Sequence, residues 1–198
     1  RFAEFLKKAD QIAVLTGAGI STESGIPDFR SANGLYNTMT SAEIFDINFF
    51  RRHPDQFYRA ITPVFRKILD AKPNVGHRAL AELETRLRKR VMIVTQNVDS
   101  LHTKAGSGEV AEIHGTFRTL TCLECERGFV SDEFLPDLAM GNVLRCPSCG
   151  GLMKPDITFY GEELPVAPFA AAKRAMWEAR LLLVLGTSLL VHPAASLP

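Results

Sequence analysis

A glycine-rich stretch at residues 17–36, reading GAGISTESGIPDFRSANGLY, constrains the fold more than any other part of the chain. It follows the apolar run IAVL at residues 12–15, which is short enough for a buried strand that ends at a glycine. Gly17 and Gly19 lack side chains where a tight turn must bring the backbone close to a ligand. A strand, a turn and a helix start in this order aim backbone N–H groups at a pyrophosphate. Thr22 stands where the dinucleotide fingerprint has its third glycine, so a plain turn explains the glycine spacing equally well.

The second half of this stretch is not explained by a plain turn. The segments GIPDFR at residues 25–30 and GLY at residues 34–36 contain too many turn formers for a helix. They also carry an acid, a base and two aromatic rings. We interpret this loop, placed directly after a phosphate-binding turn, as a lid over a cofactor.

Composition limits the class of protein. At 198 residues and 46% hydrophobic, the chain can bury a core formed by one domain and a small module. With 23 basic and 22 acidic residues the formal net charge is +1, which gives no electrostatic reason to expect nucleic acid or an anionic membrane as the main partner. We expect no membrane span, because no apolar run approaches about 18 residues. We expect no secretory leader, because residues 1–6 resemble an amphipathic helix. Four cysteines in two pairs favour a metal site in a reducing compartment over disulfides, so we expect a cytoplasmic protein.

Three apolar runs, at residues 12–15, 91–95 and 181–185, are separated by helical patterns. Polar residues follow each run, and in an open α/β sheet such residues point into the ligand crevice. The sequence therefore predicts an α/β fold with a Rossmann-like doubly wound parallel sheet. The candidate residues after the second and third runs are Gln96, Asn97, Val98 and Asp99, and Gly186, Thr187 and Ser188.

Helical periodicity predicts three further segments. The first covers residues 1–9. The second runs from Pro54 to about Ala71, and Pro63 inside it should kink or divide it. Its predicted apolar face holds Phe57, Ile61, Phe65 and Leu69. The third begins at Pro73 and Asn74, with Leu80, Leu83 and Leu87 on its apolar face, and we interpret His77 near its start as a packed or capping residue.

The cysteines form two C-x2-C pairs separated by twenty residues, namely Cys122, Cys125, Cys146 and Cys149. This spacing predicts a small four-cysteine zinc-ribbon module at residues 117–154. Four thiolates leave no open position for water, so the zinc is structural. A nucleic-acid-binding ribbon is the main rival, but residues 126–145 hold two arginines against four acidic residues.

His114 follows an apolar stretch and precedes Gly115, which leaves room for a substrate. A histidine in such a place can act as a general base. A structural histidine fits the same pattern, and the residues alone do not separate the two.

Six motifs in this order resemble the signature of the sirtuins, the NAD-dependent protein lysine deacylases, of bacterial or archaeal type. They are GAGIS with GIPDFR, TQNVD at residues 95–99, His114-Gly115, the two cysteine pairs, FYGE at residues 159–162 and GTS at residues 186–188. The resemblance covers nearly the whole chain. It implies transfer of an acyl group from lysine to ADP-ribose with release of nicotinamide, and NAD and one structural zinc as cofactors. It also implies an acyl-lysine protein or peptide as partner, and the charge balance gives no reason to add a membrane or a nucleic acid.

The resemblance also implies roles for single residues. His114 removes a proton from a ribose hydroxyl, and Asn97 with Gln96 places water and ribose hydroxyls. Asp99 holds the nicotinamide amide and Phe29 shields the reacting sugar from water. Arg30 either meets phosphate or braces the lid, and Asp28 either contacts the ligand or caps its own loop. The catalytic residues are thus His114 and Asn97, and the cofactor-binding residues are Gly17, Ala18, Gly19, Ser21, Thr22, Asp28, Phe29, Arg30, Tyr36, Gln96, Asn97, Val98, Asp99, Gly186, Thr187 and Ser188.

Two segments resemble those between which a sirtuin's peptide substrate lies as an added strand. Their candidate substrate residues are Phe159, Tyr160, Gly161 and Glu162, and Leu189 and Val191. Ile61 and Val64 align with the positions at which the desuccinylating branch carries a tyrosine and an arginine. An apolar wall rejects a carboxylate, because the charge would be buried without a partner. We therefore expect acetyl or longer neutral acyl groups.

The resemblance implies that residues 1–116 and 155–198 form the NAD-binding domain, with a helical insertion at about residues 35–72 lining the substrate cleft. Family members continue past the GTS strand with a strand that contacts the adenosine ribose, so we expect a fragment whose C-terminal part is missing and whose NAD affinity is reduced. Two alternative functions remain: a protein mono-ADP-ribosyltransferase and a non-catalytic zinc-ribbon binding module.

Overall fold

The computed structural model describes residues 2–28, 34 and 42–198. Phe29, Arg30 and Tyr36, for which cofactor contacts are predicted, lie outside the described residues. The described residues fall into two compact units. The first comprises those of Arg1–Asp28, Ala71–His114 and Leu164–Pro198, and the second comprises those of Phe29–Asp70 and Gly115–Glu163.

Seven helices and seven strands are labelled here in chain order. They are α1 (Phe2–Lys8), β1 (Gln11–Thr16), α2 (Ile47–Arg52), α3 (Pro54–Asp70), α4 (Val75–Thr85), β2 (Arg90–Thr95), α5 (Leu101–Lys104), β3 (Glu109–Glu112), β4 (Gly115–Cys122), β5 (Gly128–Val130), α6 (Leu135–Met140), β6 (Met153–Ile157), α7 (Val166–Glu178) and β7 (Leu181–Leu185). Short 3-10 turns cover Ala18–Ser24, Ala42–Phe45, Ser131–Phe134 and Ala194–Ser196. Among the described helices, none has both the length and the apolar character to cross a membrane.

The first unit is built on a four-stranded sheet of order β3-β2-β1-β7. All three pairings are parallel, which confirms the predicted parallel sheet. Thr16 at the end of β1 is in register with Thr95 of β2 and Leu185 of β7. The carboxyl ends of these strands therefore meet at one edge of the sheet, where the predicted polar residues follow.

Both faces of β1 are covered, which explains its continuous apolar sequence. Ile12 and Val14 pack on one face with Leu80 of α4. Leu15 packs on the other face with Ala172 of α7. Because side chains alternate along a strand, one run of apolar residues supplies two separate cores.

Two helix predictions require correction. α3 is continuous over Pro54–Asp70, so the expectation that Pro63 divides it is wrong. Buried residues on both sides of the proline hold the two halves on one surface: Phe57, Tyr58, Ile61, Val64, Phe65 and Ile68. Leu69 is 43% exposed and Ile68 takes its place on the buried face.

Likewise, α4 ends at Thr85, so Leu87 lies beyond it and is exposed.

The second unit contains a three-stranded antiparallel sheet of order β5-β4-β6 and the helices α2, α3 and α6. Its core is aromatic, with Phe50, Phe57 and Phe159 in edge or tilted contact at 5.1–5.3 Å between ring centres. The Tyr58 hydroxyl donates to the Met153 carbonyl at 2.7 Å and so joins α3 to β6. Burial raises the pKa of Tyr58, which keeps this donor neutral.

The second unit thus groups the described part of the predicted helical insertion with the four-cysteine sheet. The predicted domain limits, at residues 116, 154 and about 35–72, stay a prediction.

Candidate functional site

The turns that follow β1 and β7 contact each other directly. The N–H of Gly17 donates to Leu185 O at 3.1 Å, and the N–H of Gly19 donates to Gly186 O at 2.8 Å. A Cβ on Gly17 would lie 2.8 Å from Gly186 O, which is closer than real Cβ contacts. These glycines are therefore needed for the approach of one turn to another. Their N–H groups donate to the protein's own carbonyl oxygens, and cofactor binding by these two residues stays a prediction.

The segment after Gly17 is a 3-10 turn, Ala18–Ser24, in place of the expected helix start. The Thr22 hydroxyl donates to Gly19 O at 3.0 Å, so this side chain closes its own turn. Ala18 is half-buried in the same turn, while Ser21 points inward and is buried. The tight turn thus delivers one hydroxyl to the interior.

Ser21 connects the first strand end to the second. Its hydroxyl donates to Asp99 Oδ2 at 2.6 Å, and Asn97 Nδ2 donates to Ser21 Oγ at 3.1 Å and to Gly17 O at 3.2 Å. All three side chains are buried. Because the Asn97 amide nitrogen faces two protein acceptors, its carbonyl oxygen Oδ1 is the atom that can accept a hydrogen bond from a ligand.

Asp99 is held at both carboxylate oxygens. Besides the Ser21 hydroxyl on Oδ2, the N–H of Leu101 donates to Oδ1 at 2.9 Å at the start of α5. A carboxylate has about four lone-pair positions, so positions remain for a further donor such as an amide. The neighbouring Val98 is half-buried.

His114 is poised as a neutral base. Its Nδ1 lies 3.0 Å from Gln96 O, and because a carbonyl only accepts, Nδ1 carries the hydrogen and Nε2 keeps its lone pair. Burial lowers the pKa of His114, and the hydrogen bond to Gln96 opposes this to a smaller degree. The imidazole is therefore neutral at neutral pH and can accept a proton on Nε2.

The GTS segment after β7 is fixed to the same edge. Gly186 has φ +63°, and a Cβ there would lie 2.3 Å from the nitrogen of Ile20. The Gln96 side-chain amide donates to Thr187 Oγ1 at 2.8 Å, which joins the ends of β2 and β7. Ser188 is exposed, and Asp28, at the end of the first described segment, is half-buried.

Sequence reasoning missed the contribution of two buried histidines. His77 forms the predicted cap of α4, because Nδ1 accepts from the Asn74 N–H at 3.4 Å in a capping box. Its other nitrogen, Nε2, lies 3.4 Å from Ser21 Oγ. The N-x-x-H spacing at residues 74–77 signals the cap but not the contact with Ser21.

His102 packs against His77 in a tilted arrangement, with ring centres 4.8 Å apart and 57° between the ring planes, and its Nε2 lies 3.0 Å from Thr16 Oγ1. Burial lowers the pKa of His102 to about 3, and the His77 ring adds to this shift. Burial likewise lowers the pKa of His77. No sequence signal identifies His102, because its burial depends on elements distant along the chain.

The predicted substrate segment at residues 159–162 is partly used by the fold. The Tyr160 N–H donates to Phe45 O at 2.7 Å, and Tyr160 O accepts from the Ile47 N–H at 3.1 Å. Phe159 is buried in the aromatic core. These backbone groups of Tyr160 and the Phe159 ring are therefore used by the fold itself, and strand addition of a peptide along this segment stays a prediction.

Tyr160 is 49% exposed as a residue, and Gly161 is exposed beside it. In the first unit, Leu189 is exposed and Val191 is half-buried. Peptide contact by these residues stays a prediction. Ile61 and Val64 are buried on α3.

The four cysteines converge in the second unit. Their sulfur atoms all lie within 4.8 Å of one another, with Cys122 to Cys149 at 3.5 Å and Cys125 to Cys146 at 3.8 Å. Four sulfurs bound tetrahedrally at about 2.3 Å from zinc are about 3.8 Å apart, so the arrangement fits zinc. A Cβ on Gly151 would lie 2.9 Å from Cys122 Sγ, which makes this glycine part of the cradle.

Comparison with known proteins gives consistent matches. The Sir2 family model matches residues 17–193. The NAD-dependent protein deacetylase of Thermotoga maritima is 42% identical over 197 residues, covering 100% of this chain and 79% of that protein. The NAD-dependent protein deacetylase of Chromobacterium violaceum is 45% identical over 193 residues, covering 96% of this chain and 76% of that protein.

Solved structures agree over the whole chain. A Sir2 variant with a deacetylated p53 peptide and 3'-O-acetyl ADP ribose has a TM-score of 0.92 at 42% identity, covering 100% of this chain and 79% of that one. A Sir2 with a p53 peptide and NAD+ has a TM-score of 0.87 at 41% identity, covering 100% and 79%. Sir2Tm bound to a propionylated peptide has a TM-score of 0.86 at 40% identity, covering 100% and 78%. With the family model, the relatives and the folds in agreement, the chain belongs to the Sir2 family.

Proposed function

We infer that this protein is an NAD-dependent protein lysine deacylase that transfers the acyl group to ADP-ribose and releases nicotinamide. The observation that carries this inference is the neutral His114, with Nε2 free to accept a proton, at the sheet edge that also holds Asn97 and Asp99. Relatives that are 42–45% identical are NAD-dependent protein deacetylases, and similar structures hold acetylated or propionylated peptides.

The residues of this chain divide the work. When bound, NAD supplies the sugar carbon that receives the acyl oxygen and the nicotinamide that departs. His114 Nε2 takes the proton from a ribose hydroxyl, and Asn97 Oδ1 orients a hydroxyl or a water. The buried Asp99 carboxylate receives the nicotinamide amide. Ser21 fixes both Asn97 and Asp99, so neither has to reorganise during the reaction.

We propose acetyl and longer neutral acyl groups as substrates. Ile61 and Val64 support this, because both are apolar and buried on α3 and neither can pair with a carboxylate. Peptides that carry acetyl, propionyl and succinyl lysine on the same sequence test the proposal. Turnover of the succinyl peptide at a rate equal to that of the acetyl peptide would contradict it.

The proposed reaction requires that nicotinamide release be coupled to deacylation of the peptide, and this coupling can be tested. The protein should release nicotinamide from NAD when an acetyl-lysine peptide is present and not when the unmodified peptide replaces it. Mass spectrometry of the products should show free lysine and acetyl-ADP-ribose in equal amounts. Peptides that keep their acetyl groups while protein becomes ADP-ribosylated would instead identify a mono-ADP-ribosyltransferase.

We propose a structural role for zinc and a cytoplasmic location. Cys122 Sγ and Cys149 Sγ are 3.5 Å apart, well beyond the roughly 2.05 Å of a disulfide, as expected for thiols in a reducing compartment. Metal analysis should give one zinc per chain. A ribbon that binds nucleic acid would instead give tight binding that weakens steeply with salt.

A further inference from the structure

Lys154 on β6 is a lysine that lies almost entirely inside the protein, with 8% exposure. Its ammonium group donates to Ile157 O at 2.8 Å and to Pro155 O at 3.0 Å. The third partner is Glu162 Oε2 at 3.1 Å, and the nitrogen lies 4.5 Å from the centre of the Phe159 ring. Every N–H of the ammonium therefore has an acceptor.

Glu162 closes a turn over residues 159–162, called here the 159–162 turn. Its Oε2 also accepts from the Phe159 N–H at 2.8 Å, and its own N–H donates to Phe159 O at 3.0 Å. Gly161 has a backbone φ of +90°, which residues with a side chain rarely adopt. One carboxylate oxygen thus joins both ends of the turn to the Lys154 ammonium, and the exposed Tyr160 ring lies between those ends.

Stability does not require such a pair. Removing two charges from water is costly, and a well-packed apolar pair of similar volume often stabilises a fold as well or better. An ion pair adds specific geometry, because the ammonium must face its acceptors and the carboxylate must face its donors. The 159–162 turn is therefore held in one conformation by contacts that an apolar core would not supply.

We propose that Lys154 and Glu162 are positioning residues that hold the 159–162 turn in the shape required to bind the acyl-lysine peptide. The proposal rests on the proposed function, in which this turn contacts the substrate. Neither the ammonium nor the carboxylate oxygen Oε2 has to touch the peptide. They act through the Phe159 backbone and the Tyr160 ring.

The test separates positioning from general stability. The Lys154→Met variant should raise the peptide KM by about tenfold or more, the scale of one lost contact of about 1.4 kcal/mol, and leave the NAD KM within about twofold. Lys173→Met is the matched control: that lysine also lies over a phenylalanine ring, at 5.4 Å from Phe169, but it is exposed and belongs to the first unit. It should change neither KM.

A double variant guards against simple unfolding. Lys154→Met with Glu162→Gln leaves no buried unpaired charge, so it should melt at a higher temperature than Lys154→Met alone and keep one zinc per chain while the peptide KM stays high. A double variant with the parent's peptide KM, or a Lys154→Met variant that raises both KM values equally, would overturn the proposal. A parent protein that binds no acetyl-lysine peptide in fluorescence anisotropy would refute the proposed function itself.

Discussion

The proton on His114 decides when the site can act as a base. Burial lowers the pKa of this imidazole, so the neutral form persists to a pH below the ordinary value of about 6.5. We predict that kcat/KM for the acetyl peptide is constant above pH 6.5 and falls only at lower pH, as His114 becomes protonated. A pH profile measured with saturating NAD checks this.

Replacing His114 by alanine should lower turnover by about 10²- to 10⁴-fold, the usual contribution of a general base. His53→Ala is the control, since His53 lies in the second unit at the end of α2 and outside the proposed site. Unchanged turnover in His114→Ala would remove this residue from the mechanism. The same acidic fall in a weakly active His114→Ala would show that another group titrates.

A second pH effect concerns stability and belongs to His102. Its pKa is about 3 in the folded protein and about 6.5 when unfolded, so below pH 6.5 the unfolded chain binds the extra proton. Stability should therefore be fully present above pH 6.5 and fall as the pH drops toward 3, by at most about 1.4 kcal/mol per pH unit. Denaturant unfolding at pH 7 and pH 5 should show a loss about 2 kcal/mol larger for the parent than for His102→Gln. Equal losses would mean that His102 is solvated or already charged.

At the scale of residues, the sequence predicted site residues that belong to local motifs and missed residues whose burial depends on tertiary packing. The polar residues after β2 and the four cysteines follow motifs, and the structure brings each set together. Lys154 carries no such signal, because a lysine in a sequence is expected at the surface. Its burial follows from contact with Glu162 and Phe159, and the FYGE motif that contains them does not indicate a buried lysine as their partner.

At the scale of elements, the contact between the β1 and β7 turns gives a sharp prediction. Gly186→Ala places a Cβ 2.3 Å from the Ile20 nitrogen, whereas Gly25, also at positive φ, has nothing within 4 Å of its added Cβ. Both variants incur the cost of a left-handed conformation, roughly 1–2 kcal/mol. Only Gly186→Ala must also push the two turns apart.

We therefore expect Gly186→Ala to lose about 1–3 kcal/mol more unfolding free energy than Gly25→Ala, the usual cost of overpacking. NAD affinity should weaken with it, because Ser21 follows directly in the displaced turn. Denaturant unfolding and calorimetric NAD titration of both variants measure the two effects. Equal losses in the two variants would mean that the turns separate without strain.

Secondary-structure elements were predictable where the local sequence has a clear hydrophobic pattern. The three continuous apolar runs are parallel strands in the structure, but only β1 and β2 are buried. The expectation that residues 181–185 form a buried strand is wrong, because β7 is the last strand of the described sheet and its Val184 and Leu185 are exposed. The continuity of α3 through Pro63 was not predictable, because a proline divides a helix only if the packing on either side is too weak to hold the two halves together. Here Ile61 and Val64 flank it and both are buried. The 3-10 turn after Gly17 likewise reflects contact with β7, which the local sequence does not contain.

At the scale of the whole molecule, the two units carry different parts of the proposed reaction. The residues around His114, Asn97 and Asp99 belong to the first unit, and the four cysteines with the 159–162 turn belong to the second. The family model spans both, from residue 17 to residue 193. Loss of the metal should therefore not affect the two ligands equally.

We predict that removing zinc abolishes binding of the acetyl-lysine peptide and leaves NAD binding within about threefold, a change of roughly 0.7 kcal/mol. Four thiolates that lose their metal repel one another, so β4 loses the anchor at Cys122 and the 159–162 turn loses its support through β6. Calorimetric titration of NAD and peptide anisotropy, each before and after chelation, measure the two affinities. Zinc added back should restore the peptide signal, which separates metal loss from irreversible unfolding. If NAD affinity instead falls in step with zinc content, the first unit depends on the metal for its fold, and the division of labour between the units is wrong.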